Sequence, residues 1–403
     1  MLIIILQPGT TVAQQLNYRS GNDRTSLPVR ILTDETDQSA KSILILVVPG
    51  LFLPLRMNLK KFFDRLFNWE LWPFYVLYAP ISPVWFWYCL RSRSFWFFSS
   101  SNPTITFGGF EGESKKEMYE QLPPGSYPKT IYILHDLPFE EVTNKITAAG
   151  FSYPFIVKPD VGMKGILFRK IEDESHLEKY HSKIPVEYIV QELIEMPVEV
   201  SVFYYRYPTE QKGTISGFIQ KELLEVYGDG KSTLWELIQA HPRAKFRLEE
   251  MRHRHEHRLD RVLPDGHHFY LSYAGNHNRG ARFIDLSKEI DGRLLKVFDE
   301  LSHYTDKFYY GRYDIKCHSI EDLKQGRNFS ILEFNGCGAE PNHIYDARLK
   351  LGQAYKEILR HWKALYEISR HNHQNGTPYW SFQKGKNFLR EAKRHFRMLE
   401  KYD

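Results

Sequence analysis

Two segments decide how this chain is read: Tyr310–Cys317, YGRYDIKC, and Phe329–Asn335, FSILEFN. Both are short, apolar-rich and bounded by turn residues, which predicts two β-strands. Strand side chains alternate between faces, so Arg312 and Asp314 share one face, as do Glu333 and Asn335. Brought together, two carboxylates and an amide oxygen make a hard-oxygen set of the kind that suits Mg²⁺. Arg312 would then face phosphate oxygens or a developing anion, whose geometry a guanidinium fork matches. The plain alternative is a surface hairpin. Against it, Glu333 and Asn335 interrupt an apolar run, where an unpaired acid is costly.

Working outward, Phe155–Asp160 (FIVKPD) runs into VGMKG, with glycines at Gly162 and Gly165. A strand lysine beside such a turn can hold its ammonium against phosphate while backbone N–H groups approach the same oxygens. FIVKPD and GILFRKI are expected to pair, as are YIVQELI and EVSVFYYRY, the latter two carrying Glu192 and Glu199. Taken singly, these are an edge lysine and two solvated glutamates. Thr233 and Glu236 predict a capping box. A single charged helix is expected from about Pro242 to Val262, and another where Leu294, Phe298 and Leu301 recur. Helix is expected from Asp346 onward, broken near Asn375, Gly376 and Pro378.

The order of these segments resembles the ATP-grasp superfamily, particularly its D-alanine–D-alanine ligase-like carboxylate–amine ligases, over roughly Glu113 to Asp346. The resemblance implies an α+β, ATP-grasp fold, two α+β subdomains gripping ATP. It implies that Lys115 (in GESK) and Lys158 hold phosphates and that Gly162 and Gly165 lie in a lid turn. Gln191, Glu192, Leu193 and Ile194 would form the adenine-reading hinge, with Glu199 on the ribose. Asp314, Glu333 and Asn335 would bind Mg²⁺ or Mn²⁺, and Arg312 would lie near the transferred phosphoryl group. GNHNRGARF is similar to the broader amide-ligase group, where Asn278, Arg279 and Arg282 would contact phosphate or acyl phosphate. Two departures stand out. After Asn335 the chain reads GCGAEPNHIYD, which argues against D-alanine as substrate, and the expected Rossmann-like domain before Lys115 is replaced by an aromatic segment.

That segment is distinctive. Leu71 to Leu90 contains no charged residue, while Lys60, Lys61, Arg65, Arg91 and Arg93 flank it. Pro73, Pro80 and Pro83 argue against a spanning helix, because hydrocarbon cannot satisfy the freed backbone groups. Two readings remain: an interfacial or re-entrant membrane segment, and a kinked segment packed on the protein's own core. Before it, MNLKKFFDRLF opens a basic amphipathic stretch at Met57, so residues 1–56 are expected to be an extension outside the native translation. The remaining divisions are 57–101 (aromatic segment), 102–205 (lid subdomain with its linker), 206–346 (Mg-binding subdomain) and 347–403 (basic helices).

The whole chain sets bounds. With 403 residues and 42% hydrophobic content it can bury a sizeable core, and a net charge of +5 demands no nucleic-acid partner. Three cysteines without CxxC spacing fit a reducing compartment. The expected location is therefore cytoplasmic, at the inner face of the membrane if the aromatic segment docks there. GDGKST is not a P-loop, since Glu225 stands where glycine is required. His253 and His257 lack a third zinc ligand in sequence. The function expected is an ATP-dependent carboxylate–amine (or thiol) ligase working through an acyl phosphate on small-molecule or amphiphilic substrates, releasing ADP and phosphate. The alternatives are a kinase of the same fold acting on a hydroxyl, and a non-catalytic membrane-attached nucleotide-binding module.

Overall fold

The structure, a computed structural model, describes residues 69–403 apart from 164, 273, 274, 276–279 and 346–348. The expectations for residues 1–68, Asn278 and Arg279 lie outside the described residues. The described elements form an α+β architecture containing three antiparallel sheets.

Prolines shape the aromatic segment. They divide it into α1 (Phe74–Tyr78), a 3₁₀ turn at Ala79–Ile81 and α2 (Ser82–Ser92). Among the described residues no helix is long and apolar enough to cross a membrane. The inner face of the segment packs on helix α10 (Leu351–Gln374): the ring of Trp85 lies 5.1 Å from that of Trp362, and Tyr88 stacks on Tyr366 at 4.4 Å. Its outer face is exposed. Beyond it, Asn102 is fully buried, accepting from the Tyr309 and Tyr310 N–H groups and donating to the Gly108 and Tyr310 carbonyls. No strand precedes Lys115 among the described residues, so the aromatic segment and this buried turn stand where a Rossmann-like unit was absent from the sequence.

The first sheet runs in the order β1 (Thr130–Ile133), β4 (Tyr188–Glu192), β2 (Phe155–Pro159), β3 (Arg169–Ile171). Alternation sends Phe155, Val157, Tyr188 and Val190 into one core with Val142 and Ile146 of α4 (Phe139–Ala148) and Leu177 of α5 (Glu174–His181). Phe396 and Leu399 of the C-terminal helix α11 (Phe382–Leu399) close that core. Lys158 is therefore left on the opposite face.

The second sheet runs β11 (Phe329–Asn335), β10 (Tyr310–Cys317), β5 (Val198–Tyr205), β6 (Thr214–Glu222), β9 (Arg282–Asp285). β5 was expected to pair with β4 in the lid half. Instead it is the middle strand here, so the change of sheet falls between Glu192 and Val198 and not at residue 205. The cause is its fully apolar alternate set: Val200, Val202 and Tyr204 join Tyr313, Ile315, Leu294 and Phe298 in the largest core. Leu294 and Phe298 belong to the expected helix, Gly292–His303, capped by Asp291.

β7 (Leu224–Tyr227) and β8 (His268–Ser272) form a third sheet with their own core. The capping box at Thr233 and Glu236 is present. The single charged helix is not: it is split into Ala244–Phe246, Leu248–Arg254 and Glu256–Arg258. Just past the last piece, the Leu234 and Trp235 N–H groups bond to the Arg261 and Leu259 carbonyls, so the chain there pairs with the start of the capped helix and does not continue as helix.

Candidate active site

In the β10–β11 ladder Asp314 lies opposite Glu333 and Arg312 opposite Asn335, so all four occupy one face. β5 adds Ser201 beside Asp314, and Glu199 beside Lys316. The opposite face, with Tyr313, Ile315 and Cys317, is core. Thus alternation in three strands places the polar set on a single surface.

Asp314 is its centre. It is buried, accepts from Arg312 (3.2 Å) and Lys221 (3.0 Å), and receives a short hydrogen bond from the Ser201 hydroxyl. Burial would raise its pKa, yet Arg312, Lys221 and Ser201 together hold it well below the usual carboxylate range. Lys221 also reaches Glu199 at 3.4 Å. Burial pushes Lys221 and Arg312 down, but the facing carboxylates outweigh it and leave both pKa values raised. The Lys316 ammonium bonds to the Ile194 carbonyl at 3.0 Å, tying the linker between the sheets to β10.

Across from this cluster stand Lys115 and Lys158. Lys115 opens the short helix Lys115–Tyr119, and its ammonium bonds to the Asp160 and Gly162 carbonyls at 3.0 and 3.4 Å. Lys158 is pulled down to about 7, first by desolvation and then by Lys115, with Glu333 opposing. Lys115 is lowered by burial too, and Glu333, Asp160 and Glu113 oppose. Glu113 is raised by burial, with Glu333 adding to the effect. Glu333 therefore interacts with both lysines and with Arg312, joining the two sheets electrostatically.

As a cation site the set fits unevenly. Glu333 is exposed and carries no hydrogen bond or ion pair among the described residues. The Asn335 amide nitrogen is buried without a partner, an orphan that a bound ligand or an amide flip would satisfy. Asp314 is largely spent: Oδ1 takes Ser201, Lys221 and the Arg312 Nε, leaving room only at Oδ2 beside the second Arg312 contact. Glu333 and Asn335 can thus offer oxygens directly, and Asp314 through Oδ2.

Other expected residues fall differently. Arg282 pairs with Glu222, one residue on from Lys221 and so on the face away from Asp314, which removes it from the site. The Gln191 side chain is buried and bonds to Tyr119 and Thr130, a structural role. Glu192 is exposed near the Lys129 backbone. Leu193 follows β4, and Gly162 and Gly165 flank the turn before β3, where Gly165 takes φ +74°.

The loop after β11 contributes residues the sequence reading did not assign. Asn342 donates to Ser201 at 3.0 Å, and the Glu340 carbonyl accepts from Arg312 at 3.2 Å. The Glu340 carboxylate accepts from Tyr78 (2.9 Å) and Tyr345 (2.6 Å), so the aromatic segment supports the wall of the site. Glycine contacts set the loop's path: a Cβ on Gly109, at φ +75°, would lie 2.8 Å from the Gly336 Cα. Further along, His343 and His361 both approach Glu357 Oε1, at 3.0 and 3.2 Å. That oxygen also accepts from Arg360 at 2.5 Å, so this trio is a hydrogen-bonded clamp whose acceptor is already saturated. Two cavities, of about 370 and 470 Å³, lie elsewhere, beside Arg254–Tyr270 and beside Thr104–Trp380.

No protein-family model and no curated protein matches the sequence. Among solved structures, the chain is similar to a bifunctional glutathione synthetase from Pasteurella multocida (13% identity, 61% of this chain and 35% of that one, TM-score 0.35). It is also similar to D-alanine–D-alanine ligase from Bacillus anthracis (15%, 65% and 69%, TM-score 0.35). A third is the VanG D-Ala:D-Ser ligase from Enterococcus faecalis (15%, 59% and 57%, TM-score 0.33). The chain thus spans about a third of the first and just over half of the last. All three are ATP-grasp enzymes, and all three TM-scores lie below 0.5.

Proposed function

We propose that the chain is an ATP-dependent ligase that activates a carboxylate as its acyl phosphate and transfers the acyl group to an amine or thiol. The observation that carries this reading is the meeting of Lys158 of the four-stranded sheet and Lys115 of the short helix beside it with Glu333, which lies next to Arg312 on the five-stranded sheet. Two desolvated lysines with few counter-charges form a binding place for a polyanion. Lys115 and Lys158 neutralise phosphate oxygens, and Lys115 must first release the Asp160 and Gly162 carbonyls. Arg312, held flat by Asp314 and the Glu340 carbonyl, faces the transferring phosphoryl group with its position fixed in advance. Glu333 and Asn335, with Oδ2 of Asp314, would hold Mg²⁺ or Mn²⁺, which supplies charge neutralisation at the phosphates when bound. The turn containing Gly162 and Gly165 covers the site and keeps water from the acyl phosphate. The end of β4 and the linker after it, Glu192 to Ile194, take the adenine, and Glu199 the ribose. No protein nucleophile is required, because phosphoryl transfer rests on positioning and electrostatics.

The test is Glu333→Gln. Its side chain is exposed and unpaired, so the fold is expected to survive while MgATP turnover falls at least about a thousandfold, a loss of roughly 4 kcal/mol of transition-state stabilisation. ADP release measured across acid and amine panels at unchanged melting temperature checks this. Undiminished turnover removes Glu333 from the site.

A further inference from the structure

The outer face of the aromatic segment is unlike the rest of the surface. On α2, Phe86, Trp87 and Leu90 are 55%, 56% and 72% exposed, the first two each one turn before the third, which is next to the exposed Arg91. On α1, Phe74 and Tyr75 are 66% and 64% exposed. Phe95 and Phe382, both exposed, meet edge to face at 5.6 Å and extend the apolar area toward Lys384. Isolated exposed apolar residues are ordinary, but a cluster of large aromatic ones marks a binding surface. The inner face cannot turn outward to explain them, because Trp85, Tyr88 and Tyr78 are fixed against Trp362, Tyr366 and Glu340.

The charge around this face selects the occupant. Within the segment, residues 71 to 110 contain no acid and only Arg91 and Arg93 are charged, both exposed, while the acid that acts on it at Tyr88 is Glu367 of α10, on its inner side. A surface of Phe, Trp, Leu and Tyr edged by arginines matches the headgroup boundary of an anionic bilayer, where aromatic rings sit at the interface and guanidinium groups meet phosphates. The eleven residues of α2 are too few to cross hydrocarbon but enough to lie along it.

We propose that residues 73–95 dock the protein in the interface of a bilayer containing anionic lipid, with Phe86, Trp87 and Leu90 as the inserted side chains. Docking does not depend on the ligase reading. One consequence does: because Tyr78 of the same segment bonds to Glu340 beside Arg312, the wall of the candidate site adjoins the lipid, which favours an amphiphilic substrate.

The experiment is co-sedimentation of the full chain with phosphatidylcholine vesicles, with and without phosphatidylglycerol. Wild-type protein is expected to sediment with the anionic vesicles and less so as salt rises. The triple change Phe86→Ser, Trp87→Ser, Leu90→Ser, all on exposed side chains, is expected to weaken partitioning about tenfold or more while the melting temperature holds. Trp87→Phe is expected to keep binding but lose part of the tryptophan quenching by brominated lipid. Three results would overturn the proposal: wild-type protein staying in the supernatant with both vesicles, the triple variant binding as well as wild type, or a self-associated form dissolved by the triple variant without any vesicle binding.

Discussion

On the five-stranded sheet, Arg312 and Lys221 are each bonded to Asp314, and burial has not displaced their charge. On the four-stranded side, Lys115 leans on carbonyl oxygens and Lys158 has only the field of Glu333 to offset its desolvation. Both walls are cationic, but one is complete in itself and the other is short of negative charge. A buried cation with its partner in place contributes to the fold, whereas one without it is a stored preference for an anion. Arg312 and Lys221 thus serve the architecture first, and Lys115 and Lys158 the ligand first.

This contrast can be broken at its complete side. Asp314→Asn removes the carboxylate that Arg312 and Lys221 share, leaving Lys221 only Glu199 and Arg312 only the Glu340 carbonyl, and is expected to cost about 3–5 kcal/mol of stability. Urea titration checks this, and a loss under about 1 kcal/mol would show that the network is not what holds these strands. The incomplete side should respond in the other sense. Lys158→Met is expected to weaken, without abolishing, MgATP-induced thermal stabilisation yet raise ligand-free stability by about 1–2 kcal/mol, well below the full pKa equivalent because the side chain is only part-buried. The sign follows from linkage: with a folded pKa near 7 and an unfolded value near 10.4, the unfolded chain binds more protons between them. The gain is therefore full below pH 7 and fades as pH rises toward about 10. Melts of both proteins at pH 6.5 and 9.5 separate this from simple packing. The smallest effect sharpens the comparison further. MgATP binding is expected to take up part of a proton from the buffer near pH 8, because the phosphate anions raise the Lys158 pKa, so affinity should fall as pH rises above 7. Calorimetry in buffers of different ionisation enthalpy reads the uptake, and equal uptake in Lys158→Met would assign it to another group.

The polar face of β10 and β11 was legible because alternation is local: a charge within an apolar strand must face something polar. The same signal sits in GFIQKE, where Lys221 follows Ile219 by two residues, and it was available but not read. Which sheet a strand joins was not legible. β5 carries the same apolar alternation that either sheet would accept, and long-range contact with Tyr313 and Phe298 decides it. The charged run after Pro242 has helical composition throughout, yet it breaks at Arg247 and His255, and past Arg258 the distant Leu234 and Trp235 N–H groups bond its carbonyls. Arg282 was assigned from its neighbours in sequence, but the register with Glu222 turns it away. Tyr78 and Glu340 lie 262 residues apart, and no spacing rule could have joined them.

The three cysteines have a practical use. All are buried, and burial pushes Cys89 and Cys317 up to about 11 and Cys337 further still, so none presents a thiolate at neutral pH. One lies on the buried side of α2, one within the five-stranded sheet, and one where the Gly336 loop meets the Gly108 turn. Alkylation at each therefore records a different local opening, and the order in which mass spectrometry finds them modified would chart how the molecule comes apart.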